Sequence, residues 1–71
     1  MTYLGWYVDQ KIEGVWESRG HRKTQAGAEA LLERLAKRRI YGFQKTGEAY
    51  GEPILEAHGF RLICGWVTSK K

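Results

Sequence analysis

The sequence predicts an α+β fold in which a small antiparallel β-sheet of three to four strands packs against one α-helix, in the order ββαββ. The first observation is a helical periodicity of apolar residues between Thr24 and Tyr41. The second is the presence, on both sides of that helix, of stretches rich in aromatic and β-branched residues, which favour strands. The apolar face of the helix needs a sheet to pack against, and both fit within one domain of this length. Residues 1–71 are therefore predicted to form a single small basic domain.

The helix is predicted to run from Thr24 to Tyr41. Apolar side chains recur there at the spacing that places them on one helical face, namely Ala28, Leu31, Leu32 and Leu35. The Thr24 hydroxyl is suited to cap the first turn. Gly42 is expected to end the helix, because glycine adopts the left-handed conformation without penalty.

Two strands are predicted before the helix, over residues 3–8 and from Val15 to Arg22. The even-numbered positions of the first strand share one face, which carries Leu4, Trp6 and Val8. If the second strand keeps that parity, Trp16 points inward with them, and Gly20 bulges or ends the strand. The opposite face is then predicted to carry Tyr3, Tyr7 and Val15, next to Arg19.

Two more strands, Ile54 to Ala57 and Phe60 to Thr68, are predicted to meet at a tight reversal at His58–Gly59. Apolar residues on both faces of the last strand indicate a central position in the sheet. Residues 44–53 are predicted to be a loop because two glycines and a proline interrupt them, with an irregular strand around residues 48–50 as the alternative. Residues 69–71 are predicted to be a frayed basic end.

The composition indicates a small basic protein of the cytoplasm. A chain of 71 residues is too short to enclose a sizeable active site. Its formal net charge of +4 favours polyanionic partners, although such a charge also serves solubility. The single Cys64 allows no intramolecular disulfide, and the N-terminal residues form neither a signal peptide nor a membrane span, so a cytoplasmic protein without membrane contact is expected.

No catalytic, metal or cofactor site is predicted, so the protein is not expected to be an enzyme. Cys64 lies in an apolar strand, where a free cysteine behaves as a small hydrophobic residue. His21 and His58 add only two further ligands, at no zinc-site spacing. The glycines do not follow the pattern of a phosphate-binding loop or a dinucleotide-binding motif.

Positive charge is concentrated in residues 19–39, which hold seven basic residues against two acidic ones. Clustered cations neutralise phosphates and release counterions, and aromatic side chains beside them can stack on bases. We therefore predict a nucleic-acid-binding module for DNA or RNA. The residues predicted to contact the ligand are Tyr7, Arg19, His21, Arg22, Lys23, Arg38 and Arg39.

The alternative is a protein-binding accessory factor or inhibitor, of the kind that phages and mobile elements encode, docked on an acidic partner protein. Tryptophan, tyrosine and arginine are frequent hot spots of protein interfaces. Two features also have explanations without any ligand: cations at a helix end complement the helix dipole, and cross-strand aromatic pairs stabilise a sheet. A homodimer through the aromatic side of the sheet is compatible with both functions.

Overall fold

A computed structural model describes residues 1–68 of the chain. This part holds five strands and one helix: β1 (Thr2–Ile12), β2 (Val15–Arg22), α1 (Gln25–Ala36), β3 (Gln44–Ala49), β4 (Glu52–Ala57) and β5 (Phe60–Thr68). The α+β character is as predicted, but the predicted three to four strands in the order ββαββ are wrong, because the described residues form five strands in the order ββαβββ. The frayed end predicted at residues 69–71 lies outside the described residues.

The five strands form a single antiparallel sheet with the spatial order β2-β1-β5-β4-β3. The predicted central position of β5 is confirmed, since it lies between β1 and β4. None of the helical structure within residues 1–68 has the length and apolar character needed to cross a membrane.

Each hairpin of the sheet closes through a two-residue turn that ends in glycine. The turns are Glu13–Gly14, Tyr50–Gly51 and His58–Gly59, and both residues of each have positive φ. Positive φ at both central positions is what a type I′ turn requires, and its twist matches that of the flanking strands. The predicted reversal at His58–Gly59 is confirmed, whereas the turn at Tyr50–Gly51 lies within the predicted loop.

The predicted loop over residues 44–53 is wrong, because those residues form β3 and the start of β4. Gly47 lies beside a register shift in β3, and Gly51 lies in the turn, so neither glycine prevents pairing. Pro53 is tolerated for a different reason. Pairing of β4 with β5 begins only at Leu55, so at Pro53 the strand pairs with β3 alone.

The core lies between α1 and one face of the sheet. Ala28 and Leu32 of the helix pack there against side chains of β1 and β5, namely Trp6, Val8, Phe60, Leu62 and Cys64. Gly20 of β2 permits the close approach of α1, because a Cβ atom at that position would lie 2.9 Å from Leu31 Cδ2. Cys64 belongs to the apolar core, as predicted, and its burial raises the pKa of the thiol.

The start of α1 agrees with the prediction, and its end does not. The Gly27 amide donates to Thr24 Oγ1 over 3.1 Å, which is the predicted cap. The helix ends at Ala36 rather than at Tyr41, and Lys37 adopts the left-handed conformation with φ 61°. The Arg38 amide donates to the Glu33 carbonyl over 3.2 Å, which is the six-to-one bond of a Schellman motif, and the Lys37 amide donates to the same carbonyl.

A physical reason for the early end lies in the residues that follow. One more helical turn would carry Arg39 onto the apolar stripe, four positions after Leu35. By leaving the helix, the chain instead buries Ile40 in the core and packs Phe43 against it. Gly42, the predicted terminator, has positive φ within the connection to β3.

Replacing Lys37 with glycine is expected to stabilise the protein. A side chain in the left-handed region is sterically strained, and glycine relieves that strain, so we expect Lys37→Gly to raise the free energy of unfolding by about 0.5 to 1 kcal/mol. Urea denaturation measures the change. Arg34→Gly is the matched control, because it lies inside α1 and should lower stability by about 1 kcal/mol. A loss of stability in both variants would contradict the assigned helix end.

Candidate nucleic-acid interface

The sheet has one face that α1 does not cover. Residues alternate between the two faces along a strand. Trp6 and Val8 of β1 and their cross-strand partners in β5 therefore face the helix, and the residues that precede and follow them in each strand face away from it. We call this second side the aromatic face. Its aromatic and basic side chains are Tyr3, Tyr7, Lys11, Trp16, His21, Lys23 and Arg61.

The register of β1 and β2 places Trp16 on the aromatic face, which corrects the prediction that it points inward. The turn at Glu13–Gly14 pairs Lys11 with Trp16, so the two side chains share a face. The same register puts Val15, predicted on the aromatic face, on the helix side instead. A bulge in β2, where Arg19 is skipped between the pairs Val8–Gly20 and Asp9–Ser18, then shifts the register by one residue and restores the predicted parity from Gly20 onward.

Tyr3 and Tyr7 project from the face opposite the leucines, as predicted, and their rings lie against glycine backbone. Gly5 and Gly65 are cross-strand partners on the two adjacent strands. A Cβ atom at Gly65 would lie 3.2 Å from Tyr7 Cε2, and one at Gly5 would lie 3.1 Å from Tyr3 Cε2. The Tyr7 hydroxyl donates to the Trp66 carbonyl over 2.7 Å, which fixes its ring along the sheet.

Filling the space beneath Tyr7 is expected to displace its ring. Because a methyl group at position 65 would crowd that ring, we expect Gly65→Ala to lower the free energy of unfolding by about 1 to 3 kcal/mol. Thermal denaturation followed by circular dichroism measures the loss. Adding Tyr7→Ala to Gly65→Ala should remove the clash, so that the methyl group costs less in that background. An equal cost with and without Tyr7 would contradict the proposed ring position.

Each of the three aromatic side chains of β1 and β2 on this face has a basic neighbour. Lys23 Nζ lies 5.7 Å from the centroid of the Tyr3 ring, and the rings of Tyr7 and His21 are 5.6 Å apart. Trp16 has two such neighbours, because Arg61 Cζ lies 4.5 Å and Lys11 Nζ lies 5.8 Å from the centroid of its ring. The lysine and arginine distances fall within the range of about 6 Å typical of cation–π contacts. Positively charged side chains thus lie beside the Tyr3 and Trp16 rings, and an imidazole ring lies beside Tyr7.

The charges on this face differ in how firmly they are held. Arg61 donates through Nε to Asp9 Oδ2 over 3.0 Å, and its Nη2 contacts the same oxygen. Asp9 is only 7% exposed, so this ion pair is largely shielded from water and holds the guanidinium in place. No acidic side chain among residues 1–68 forms an ion pair with Lys11 or Lys23, and both lysines are exposed. These two lysines carry the free positive charge of the face.

The residues predicted to bind nucleic acid do not form one site. Tyr7, His21 and Lys23 lie together on the aromatic face. Arg22 lies opposite Trp6 on the helix side, and Arg19 is exposed where the register of β2 shifts. Both remaining residues are exposed in the connection that follows α1, namely Arg38 and Arg39. The predicted set is thus divided between the two sides of the sheet.

Sequence reasoning missed three members of the aromatic face: Lys11, Trp16 and Arg61. A signal for two of them was present in the Glu-Gly pair at residues 13–14. A two-residue turn there pairs Lys11 with Trp16 and puts both on the face of the odd-numbered β1 positions. Arg61 also follows this alternation, since it pairs with Asp9 across β1 and β5.

A shallow polar pocket lies elsewhere, near the start of β3 and the end of β4. Its volume is about 290 Å³, and its lining residues are Gly42, Gln44, Thr46, Glu56, Ala57 and His58. This volume is just below the range of about 300 to 1,000 Å³ that is usual for small-molecule sites. Within residues 1–68, no three His, Cys, Asp or Glu side chains are grouped so that they could hold a metal ion.

No protein-family model, curated protein or solved structure matches this chain. Fold and surface therefore define its class: a small α+β domain whose sheet packs against a helix on one face and carries aromatic and basic side chains of β1, β2 and β5 on the other.

Proposed function

We propose that this protein is a non-enzymatic nucleic-acid-binding module of the cytoplasm that contacts DNA or RNA through the aromatic face. The observation that carries the proposal is the set of three rings beside basic side chains on the face that α1 leaves uncovered. Lys11 and Lys23 would neutralise phosphates, while the rings offer apolar surface to bases. The buried, unpaired Cys64 suits the reducing cytoplasm.

The helix is a poorer candidate for the contact surface. Its exposed and half-buried positions mix Glu29 and Glu33 with Arg34, so it offers phosphates no continuous positive stripe. Arg38 and Arg39 follow the helix on the side of the core, since Ile40 beside them is buried there. We therefore leave these two arginines out of the proposed contact surface.

A second candidate function is docking on a partner protein, and an apolar patch on the helix side favours it. Tyr50 and Trp66 are 60% and 55% exposed, and their rings meet edge to face with centroids 6.1 Å apart. Leu4, which is 39% exposed, is the cross-strand partner of Trp66. Exposed tryptophan and tyrosine side chains are frequent anchors of protein interfaces.

The proposed function is tested by measuring affinity for mixed-sequence DNA and RNA oligonucleotides across a series of salt concentrations. Because phosphate contacts release counterions, we expect binding at low salt that weakens steadily as salt rises. Absence of binding to both nucleic acids at low salt would contradict the proposal. Recovery of one stoichiometric protein from nuclease-treated lysate, lost in Trp66→Ala, would then favour the second function.

A further inference from the structure

We infer that the ligand of the aromatic face is a single-stranded nucleic acid whose unpaired bases stack on Tyr3, Tyr7 and Trp16. This inference rests on the proposed function and narrows its ligand. Three observations support it: the positions of the three rings along β1, the packing of the tyrosine rings flat against glycine backbone, and the absence of ion pairs at Lys11 and Lys23 within residues 1–68.

The residues that carry the rings occupy regularly spaced positions along β1. Tyr3 and Tyr7 are four residues apart, and Trp16 lies opposite Lys11, another four residues along. At about 3.3 Å per residue, the backbone positions that carry the three rings span about 26 Å. Within this span the Tyr3 and Tyr7 rings both reach the cross-strand pair Gly5 and Gly65. A span of this length suits an extended strand, since binding sites for single strands begin at about four nucleotides.

The rings lie against the sheet instead of standing out from it. Tyr3 and Tyr7 rest over Gly5 and Gly65, and all three rings are half-buried. Side chains held in this way offer a flat surface and cannot reach the base edges inside a duplex groove. Bases offer their own flat faces only where they are unpaired and unstacked, so the ring geometry favours a single strand over a duplex.

The ammonium groups of the two lysines can move away from the rings, so that bases can stack there. Contacts between exposed ammonium groups and rings are weak, and Lys11 and Lys23 are both exposed. A phosphate beside the face would draw each ammonium group away from its ring and leave that ring free to stack on a base. Arg61 remains in place because Asp9 holds it, so it continues to support the Trp16 ring from one side.

Three probes of equal length test the inference by fluorescence anisotropy: an intact single strand, the same strand with every base removed, and the duplex. DNA and RNA versions of the intact strand are both measured. We expect the intact strand to bind at least about tenfold more tightly than the abasic strand, because base stacking is lost in the latter. We also expect it to bind more tightly than the duplex.

The possible outcomes separate the inference from the proposed function. If the abasic strand or the duplex binds as tightly as the intact single strand, the inference is overturned while the proposed function stands. If none of the three probes binds at low salt, both are overturned.

Trp16→Ala and Trp66→Ala form a matched pair for the same assay. Trp16 lies on the aromatic face, so its loss should weaken binding of the intact strand by about tenfold and leave the abasic strand unaffected. Trp66 is exposed on the helix side, so its loss should change neither. Equal losses in the two variants would overturn the inference.

Tyr3→Leu applies the same test at a second ring. Tyr3 does not contact the guanidinium of the Asp9–Arg61 ion pair, whereas Trp16 does, so this variant remains informative if Trp16→Ala fails to fold. Leucine keeps apolar bulk over Gly5 but removes the flat ring. A loss confined to the intact strand supports stacking. Unchanged affinity for the intact strand would contradict base stacking on the Tyr3 ring.

Discussion

Leu32→Ala is expected to lower the free energy of unfolding by about 2 to 5 kcal/mol. Leu32 is fully buried in the centre of the only helix within residues 1–68, and it packs in the cluster that holds Val8 of β1 and Leu62 of β5. Truncation removes apolar contacts and leaves a cavity that the adjoining strands cannot easily fill. Since small proteins have only about 5 to 15 kcal/mol of stability, this single change removes a large share of it.

Chemical denaturation of the purified variant measures the loss, with Leu4→Ala as the control. Leu4 is the same residue type but is partly exposed, so the same truncation there should cost about 1 kcal/mol or less. If Leu32→Ala changes stability no more than Leu4→Ala does, the face of α1 assigned to the core is wrong.

Lys11→Ala combined with Lys23→Ala is expected to weaken nucleic-acid binding and to reduce its dependence on salt. Each lysine that contacts a phosphate releases counterions, so removing both should make the slope of log affinity against log salt shallower by about 1 to 2. The variant should keep its stability, because both side chains are exposed and contact only aromatic rings.

Arg38→Ala combined with Arg39→Ala is the matched control, because it removes the same charge from the helix side of the sheet. We expect its salt slope to stay close to that of the unchanged protein. A shallower slope in the arginine variant and an unchanged slope in the lysine variant would move the interface to the connection after α1.

Much of the fold follows from local patterns in the sequence. The apolar spacing through Leu32 predicts the helix, the alternation through Trp6 and Val8 predicts β1, and the two-sided apolar pattern predicts a central β5. The cap at Thr24 is equally local. These features are predictable because each depends on residues that are close together in the chain.

The features that could not be predicted depend on neighbours that are distant in the chain. Pro53 is acceptable in β4 only because β5 does not pair with the strand at that point. The helix ends at Ala36 because the following residues pack into the core. One local signal for this end was present in the sequence, since the charged Arg39 falls where the apolar face of a longer helix would continue.

The aromatic face was predictable only in part. Tyr7 lies on the predicted side because the alternation of β1 alone sets its position. His21 shares that side because the bulge restores the parity assumed for β2. Trp16 lies between the Glu13–Gly14 turn and the bulge, where the turn alone sets the register. Its predicted side was therefore wrong. A shift of one residue thus decides whether a tryptophan belongs to the core or to the proposed interface.

Mapping the bound oligonucleotide by amide chemical shifts tests the central claim most directly. On addition of an unlabelled single strand to the ¹⁵N-labelled protein, we expect the largest changes at Tyr3, Tyr7, Trp16 and Lys23, with Arg61 also affected. The amides of α1 and of residues 38–39 should change little. Changes concentrated in α1 and residues 38–39, with the aromatic face unaffected, would contradict the account.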